Sequence, residues 1–384
     1  MTAESDTKTA GRTLPEDLLT EALISLENLE HNLGCIRRRV GPRCRIMAVV
    51  KANAYGHGVE RISAALEKSG IRDFGVANIH EAIELKTALA PAGGYRVLAF
   101  SSPLPSHIDL YLRYGIDMTV CDFNTLRSAQ QLASAAGKLL TVQVKIDTGM
   151  GRLGVSPDET LLLLEEIDRS SHLELAAIYT HFAQGHEPVG FSRKQLDCFR
   201  RLGAEYEHAS RKPVCRHAAN SGAILSNPDS WFDMVRPGIL LYGSHPVDGM
   251  PPELPVKPVM QFQSRVIFIK SVPEGTTISY NRTWSAPGPR RIATIAAGYA
   301  DGYHRALSNR SRIFINGQPY SQVGTVTMDQ MMVDLGTDSD IRVGDTAVLF
   351  GWDGASAGEL ALAAGSISYE LLCSVSRRVR RVFL

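Results

Sequence analysis

From Arg45 to about Gly243 the chain alternates short apolar or β-branched runs with amphipathic stretches, and this rhythm restricts the possible folds more than any other feature. The runs are IMAVV at 46–50, FGVA at 74–77, RVLAF at 96–100, DMTV at 117–120, LLTVQVKI at 139–146, LELAAIYTHF at 173–182, VCRHAA at 214–219 and DMVRPG at 233–238. Between them, residues 59–69, 123–136, 157–168 and 192–208 carry helical spacing. Apolar strands that alternate with helices make βα units around a parallel sheet covered on both faces. Eight strands within about 200 residues fit an α/β fold of the (β/α)8 TIM-barrel type better than an open doubly wound sheet, which is the alternative.

Beyond Pro251 the texture changes. The stretch PVDGMPPELPVKP reads as a linker, and after it come alternating strands: QFQSRVIFIKSV, RRIATIAAGY, RIFINGQPY, QVGTVTMDQMMVDL and DTAVLF. Asn316-Gly317 between two such runs is a strong hairpin signal. The expected organisation is a flexible tail and lead-in at 1–21, a barrel at 22–253 and a second, mostly antiparallel β domain at 254–384. A length of 384 residues suits two domains, and 44% hydrophobic with 21% charged residues is ordinary for a folded chain. The net charge of +1 provides no global field for nucleic acid or an anionic membrane. The arginines at 37–39 and 377–381 therefore read as solvated faces or subunit contacts. No apolar run approaches the roughly 20 residues of a membrane span, and the first nineteen residues lack the pattern of a secretory signal. Six cysteines scattered without a C-x-x-C pair point to a reducing cytoplasm and to no metal site.

In a barrel of this type the chemistry sits where strands end. The first run ends in Lys51, with Met47, Val49 and Lys51 alternating to one face. A lysine partly desolvated at a barrel mouth can lose its proton and form a Schiff base, although a single lysine at a strand end more often reaches out to solvent. Other strand ends add Lys145 and then Arg152, His181, Asn220 with Ser221, and Arg236 with Pro237-Gly238. Each has a plain alternative: a core histidine, surface arginines, or Ser221 as a helix N-cap. Polar groups on four successive strand ends are hard to explain as packing. Loops after the last two barrel strands commonly hold phosphate, and NSG at 220–222 with RPGILLYG at 236–243 provides small residues, a hydroxyl and free amides. A lysine able to form an imine opposite a phosphate pocket implies pyridoxal 5′-phosphate.

These residues resemble the alanine racemases, pyridoxal-phosphate enzymes with an N-terminal barrel and a C-terminal β domain. AVVKANAYGHG at 48–58 resembles the family's cofactor-lysine motif and KIDTGMGRLG at 145–154 its second barrel motif. HAANSGA at 217–223, VRPGILLYG at 235–243, ISY at 278–280, GYADGY at 298–303, TMDQ at 327–330 and SYELLC at 368–373 continue the match in order, over roughly 22–384. The resemblance implies L/D-alanine interconversion by two bases, Lys51 and Tyr280, to supply D-alanine for peptidoglycan. By the same resemblance Tyr55, Ser221, Tyr369 and the Gly238 and Ile239 amides hold the cofactor phosphate. Asn220 belongs to the same site, Arg236 faces the pyridine nitrogen, and His181 links Arg236 to Tyr280. Arg152 and the Met328 backbone receive the substrate carboxylate. Tyr280, Tyr299 and Met328 are expected from the partner subunit of a homodimer.

Lys145 faces inward near Arg152, and two cations there would repel; in many family members this lysine is carbamylated, and the same is expected here. Thr325, Thr327, Tyr303 and His186 depart from the family pattern and bear on the access corridor. Competing functions are a broad-specificity or serine-type racemase, a pyridoxal-phosphate decarboxylase, which Arg236 disfavours, and a non-catalytic cofactor-binding protein.

Overall fold

A computed structural model describes residues 19–89, 94–249 and 254–384. The expected flexible tail falls almost wholly outside these residues, as does the expected domain break at 253. All eight barrel runs form strands: β2 Arg45–Val49, β3 Asp73–Val76, β4 Arg96–Ala99, β5 Asp117–Val120, β6 Leu140–Lys145, β7 Leu173–Tyr179, β8 Arg216–His217 and β9 Met234–Val235, following a first strand, β1, at Glu21–Ile24. The parallel order β8-β7-β6-β5-β4-β3-β2-β9 comes round on itself through the Asn220–Arg236 bridge, with the Arg236 amide donating to the Ala219 carbonyl at 2.9 Å. Met47, Leu98, Tyr179 and Met234 fill the barrel interior, while alternate residues such as Ile46, Ala48 and Val97 join the outer core beneath the helices. Helices occupy the stretches with helical spacing, at Val59–Lys68, Phe123–Ala135, Pro157–Asp168 and Phe191–Ser210.

The second sheet contains β10 Met260–Val272, β13 Arg290–Ile295, β14 Arg312–Ile315, β15 Gln318–Val323, β16 Met331–Asp334, β17 Thr346–Phe350 and β18 Arg380–Phe383, with β11 Thr277–Ile278 and β12 Trp284–Ser285 as a separate ribbon. β10 pairs with β17 through Phe262–Arg265 and with β13 through Val266–Val272, turning at an irregularity after Val266. That double pairing closes the sheet and leaves few open edges. Asn316 and Gly317 take φ of 50° and 74°, the left-handed turn the dipeptide favours, and Ile315 pairs with Gln318.

Two features depart from the sequence reading. All of β1 but Glu21 lies inside the stretch assigned to the barrel, yet it pairs antiparallel with β10 and parallel with β18, with Ala22 and Ile24 buried. Helices also occur late in the chain, at Ala357–Ala364 and Ser368–Ser374; a Ser356–Glu359 capping box starts the first. Among the described residues, no helix is long and apolar enough to cross a membrane.

Candidate active site

At the C-terminal end of the barrel a cavity of about 380 Å³ is lined by eleven of the residues singled out from the sequence: Lys51, Tyr55, Lys145, Arg152, His181, Asn220, Ser221, Arg236, Gly238, Ile239 and Tyr369. Lys51 is not the last strand residue, as the alternation suggested. It opens a tight turn after β2 in which Ala52, Asn53, Ala54 and Tyr55 all have φ between 52° and 54°. Left-handed geometry costs about 1–2 kcal/mol per residue in L-amino acids, so four in a row must be held by their surroundings. Glu81 does part of this by accepting the Ala52 amide at 2.9 Å and the Ala77 amide at 2.7 Å, joining the loops after β2 and β3. Asn53 accepts the Val59 amide at 2.8 Å. The turn brings the Lys51 amine and the Tyr55 ring into one cavity. Burial, followed by the Arg152 charge, lowers the Lys51 pKa, which favours the neutral nucleophile.

Opposite lies a cradle for an anion. The Ser221 hydroxyl accepts the Gly238 amide at 3.0 Å, and Tyr55 stacks on Tyr242 at 4.7 Å with Tyr369 at 6.1 Å. A side chain at Gly238 would force Tyr55 to shift: a Cβ would stand 2.3 Å from the Tyr55 hydroxyl. Asn220, and not Ser221, is the N-cap of the short helix Ser221–Ser226, accepting the Ala223 amide at 3.1 Å, so the Ser221 hydroxyl stays on the cavity side.

Arg236 is buried deeply enough to push its pKa down to about 10, still protonated at neutral pH. Its Nη1 donates to His217 Nδ1 at 2.9 Å and the His217 carbonyl at 2.8 Å. Its Nη2 serves the Thr180 and Ala218 carbonyls at 2.7 and 2.9 Å and His181 Nδ1 at 3.3 Å. Both terminal nitrogens are thus engaged, leaving Nε–H for the cavity that Arg236 lines. Burial and the Arg236 charge push the pKa of His181 well below its ordinary value. Lys145 is pushed down to about 8 by burial and then by Arg236; Arg152, the cation expected to matter most, contributes less.

Tyr280, Tyr299 and Met328 do not reach this cavity. They are 69%, 43% and 53% exposed and gather on one surface of the second domain. Thr325 donates to the Tyr280 carbonyl at 2.9 Å, Ser279 donates to the Thr325 carbonyl at 2.6 Å, and the Tyr299 and Ala300 amides donate to the Thr327 and Met328 carbonyls at 3.0 Å. Thr325 is buried as a support for the Tyr280 loop, and Tyr303 is a core residue donating to Ser311 at 2.7 Å, so neither lines an open corridor. Sequence reasoning missed Tyr179, Gln143 and Glu81. Gln143 had a signal, since it alternates inward with Lys145, whereas Glu81 sits inside a helix with nothing to mark it.

The family models of the alanine racemase N-terminal domain and the alanine racemase C-terminal domain match residues 24–246 and 259–383. An alanine racemase of Chlorobaculum tepidum is 64% identical over 364 residues, 95% of either chain. Among solved structures, an alanine racemase of Clostridium difficile superposes with a TM-score of 0.90 at 34% identity, covering 96% of this chain and 97% of that one. An alanine racemase of Bartonella henselae with covalently bound pyridoxal phosphate superposes with a TM-score of 0.87 at 30% identity, covering 96% of this chain and all of that one.

Proposed function

The chain belongs to the alanine racemase family, and from that premise we propose that it interconverts L- and D-alanine with pyridoxal 5′-phosphate, supplying D-alanine for peptidoglycan. The observation that carries the reading is the meeting of Lys51, Arg236 and the Gly238 cradle in one cavity. Those residues fit the cofactor. Lys51 Nζ would anchor it covalently, while Tyr55, Ser221, Tyr369 and the Ile239 amide would hold its phosphate together with the Gly238 amide, which donates to Ser221 Oγ in the structure. Asn220 fixes the loop that carries Ser221. When bound, the cofactor draws electrons from the substrate Cα–H bond.

Inversion needs a proton acceptor on one face of Cα and a donor on the other. Lys51 Nζ takes the D-side proton, and its depressed pKa suits the task. Tyr280 Oη serves the L side. The His181 imidazole, with Nδ1 facing Arg236, presents Nε2–H to the phenol oxygen and supports it as it takes the proton. Arg152 and the Met328 backbone take the substrate carboxylate, with Tyr299 beside them. Arg236 holds its own proton at neutral pH, so beside the pyridine nitrogen of a bound cofactor it would not give that proton to the ring, which would keep charge at Cα and favour its reprotonation.

The second base reaches the cavity from another copy of the chain: the exposed patch of Tyr280, Tyr299 and Met328 completes the partner's site in a homodimer. The enzyme works in the cytoplasm. Lys145, neutral in part because its pKa falls to about 8, reacts with carbon dioxide: the Nζ lone pair bonds to carbon, one N–H proton leaves to solvent, and the carbamate turns a buried positive charge negative beside Arg152. Purified protein given L-alanine yields D-alanine on chiral chromatography; release of carbon dioxide without D-alanine would identify a decarboxylase instead.

A further inference from the structure

A line of side chains crosses the barrel interior from the cavity to the opposite end. Arg236 Nη1 meets His217 Nδ1 at 2.9 Å; His217 Nε2 meets Gln143 Oε1 at 2.9 Å; Gln143 Nε2 donates to Asp117 Oδ2 at 2.7 Å. The same Asp117 oxygen takes Arg96 Nε at 3.1 Å and Nη2 at 2.8 Å, and Arg96 is the exposed first residue of β4, at the N-terminal end of the barrel strands. His217 and Gln143 are buried. We propose that Asp117, Gln143 and His217 form a one-way chain of hydrogen bonds that fixes the His217 tautomer and so holds Arg236 with its Nε–H toward the cofactor ring. Gln143 and Asp117 are positioning residues, acting at a distance from the reacting atoms.

The direction follows from the chemistry of the two ends. A guanidinium can only donate, so His217 Nδ1 must accept and carries no proton. Burial and the Arg236 charge hold the pKa of His217 well below its ordinary value, leaving one ring proton, which sits on Nε2. Gln143 must then present its oxygen to His217 and its amide hydrogens to Asp117. The far end agrees independently: three donors converge on one carboxylate oxygen, which an ionised Asp117 satisfies and a donor could not. Other neighbours of His217 allow little freedom. The Tyr179 ring stacks on it at 4.9 Å and 5°, and the Tyr179 hydroxyl is tied to Thr119 at 2.8 Å, which donates to the Ala99 carbonyl. Lys145 and Arg236 lie over the same Tyr179 ring at 5.7 and 5.6 Å. If the ring proton moved to Nδ1, it would face Arg236 donor to donor, and the guanidinium would have to turn.

The inference rests on the cofactor reading above, and its test separates the two. The 15N spectrum of histidine-labelled holoenzyme, with His217 assigned by a His217→Gln variant, is expected to show a neutral ring protonated on Nε2. Gln143→Met, of similar volume and without polar hydrogens, is expected to populate the other tautomer. It should also raise, several-fold, the ratio of the side reaction that leaves the amino group on the cofactor and releases the keto acid. Asp117→Leu should do the same. Asp117→Asn, whose amide oxygen still accepts from Gln143 and Arg96, should keep the wild-type tautomer and ratio. A wild-type His217 protonated on Nδ1, or on both nitrogens, overturns the proposal. So does an unchanged ratio in folded, cofactor-loaded Gln143→Met and Asp117→Leu. Should a variant not fold, the wild-type tautomer decides. Failure of the cofactor reading would appear differently, as wild-type protein with no cofactor absorbance.

Discussion

Gly238→Ala, combined with Tyr55→Phe, isolates the contact that shapes the phosphate cradle. The glycine has φ −114° and ψ −89°, outside the helical and extended regions that alanine prefers, so the substitution adds a backbone cost to the steric one, and only the steric part depends on Tyr55. The added Cβ would lie 2.3 Å from the Tyr55 hydroxyl and 3.0 Å from Cζ, well inside van der Waals contact. Tyr55 has little room to retreat, since it is buried, stacked on Tyr242, and fixed by the left-handed turn that carries Lys51. Overpacking of this kind costs about 1–3 kcal/mol. Moving the hydroxyl away from a phosphate oxygen removes a charge-assisted hydrogen bond of about 1.5–3 kcal/mol. At about 1.4 kcal/mol per tenfold, the second effect predicts cofactor affinity weakened roughly 10- to 100-fold. The assay is titration of apoenzyme with pyridoxal phosphate by absorbance, for the two single variants and for Gly238→Ala/Tyr55→Phe. Tyr55→Phe removes the atom at 2.3 Å, so the double variant should lose clearly less than the sum of the singles. Wild-type affinity in Gly238→Ala, or strictly additive losses in the double variant, would refute the steric argument.

Other expectations follow from the same geometry. Lys51→Ala should abolish covalent attachment, seen as loss of cofactor mass on the chain after borohydride reduction. Tyr280→Phe should retain cofactor absorbance yet lose most Cα proton abstraction from L-alanine, measured by tritium or deuterium exchange, while exchange from D-alanine is affected less. In carbonate-free buffer, Lys145→Met should exceed wild type in stability by up to about 3 kcal/mol below pH 8. That advantage should fade as pH rises from about 8 to 10.5, because over this window the unfolded chain binds the Lys145 proton and the folded one does not; urea titrations across pH test the trend.

The barrel was legible because its strands are buried on both faces and so read as unbroken apolar runs; even the two-residue β8 and β9 fell inside the expected segments. The hairpin at Asn316-Gly317 was legible for a local reason, the tolerance of both residues for positive φ. β1 was not, since its four residues carry no strong alternation and its partners, β10 and β18, lie more than two hundred residues away. Most site residues stood at strand ends and could be named in advance. What the sequence could not show was how they are supported. The left-handed turn behind Lys51 depends on Glu81, twenty-nine positions downstream, and the chain behind Arg236 joins Asp117, Gln143 and His217 from three separate strands. Hydrogen-bond partners of that kind leave no period in the sequence.

The most direct test of the central claim follows alanine in heavy water. Wild-type protein with pyridoxal phosphate and L-alanine in D2O should produce D-alanine until the enantiomers are equal, with deuterium at Cα of the product. Protein that forms no D-alanine and leaves the Cα hydrogen of L-alanine unexchanged would contradict the account.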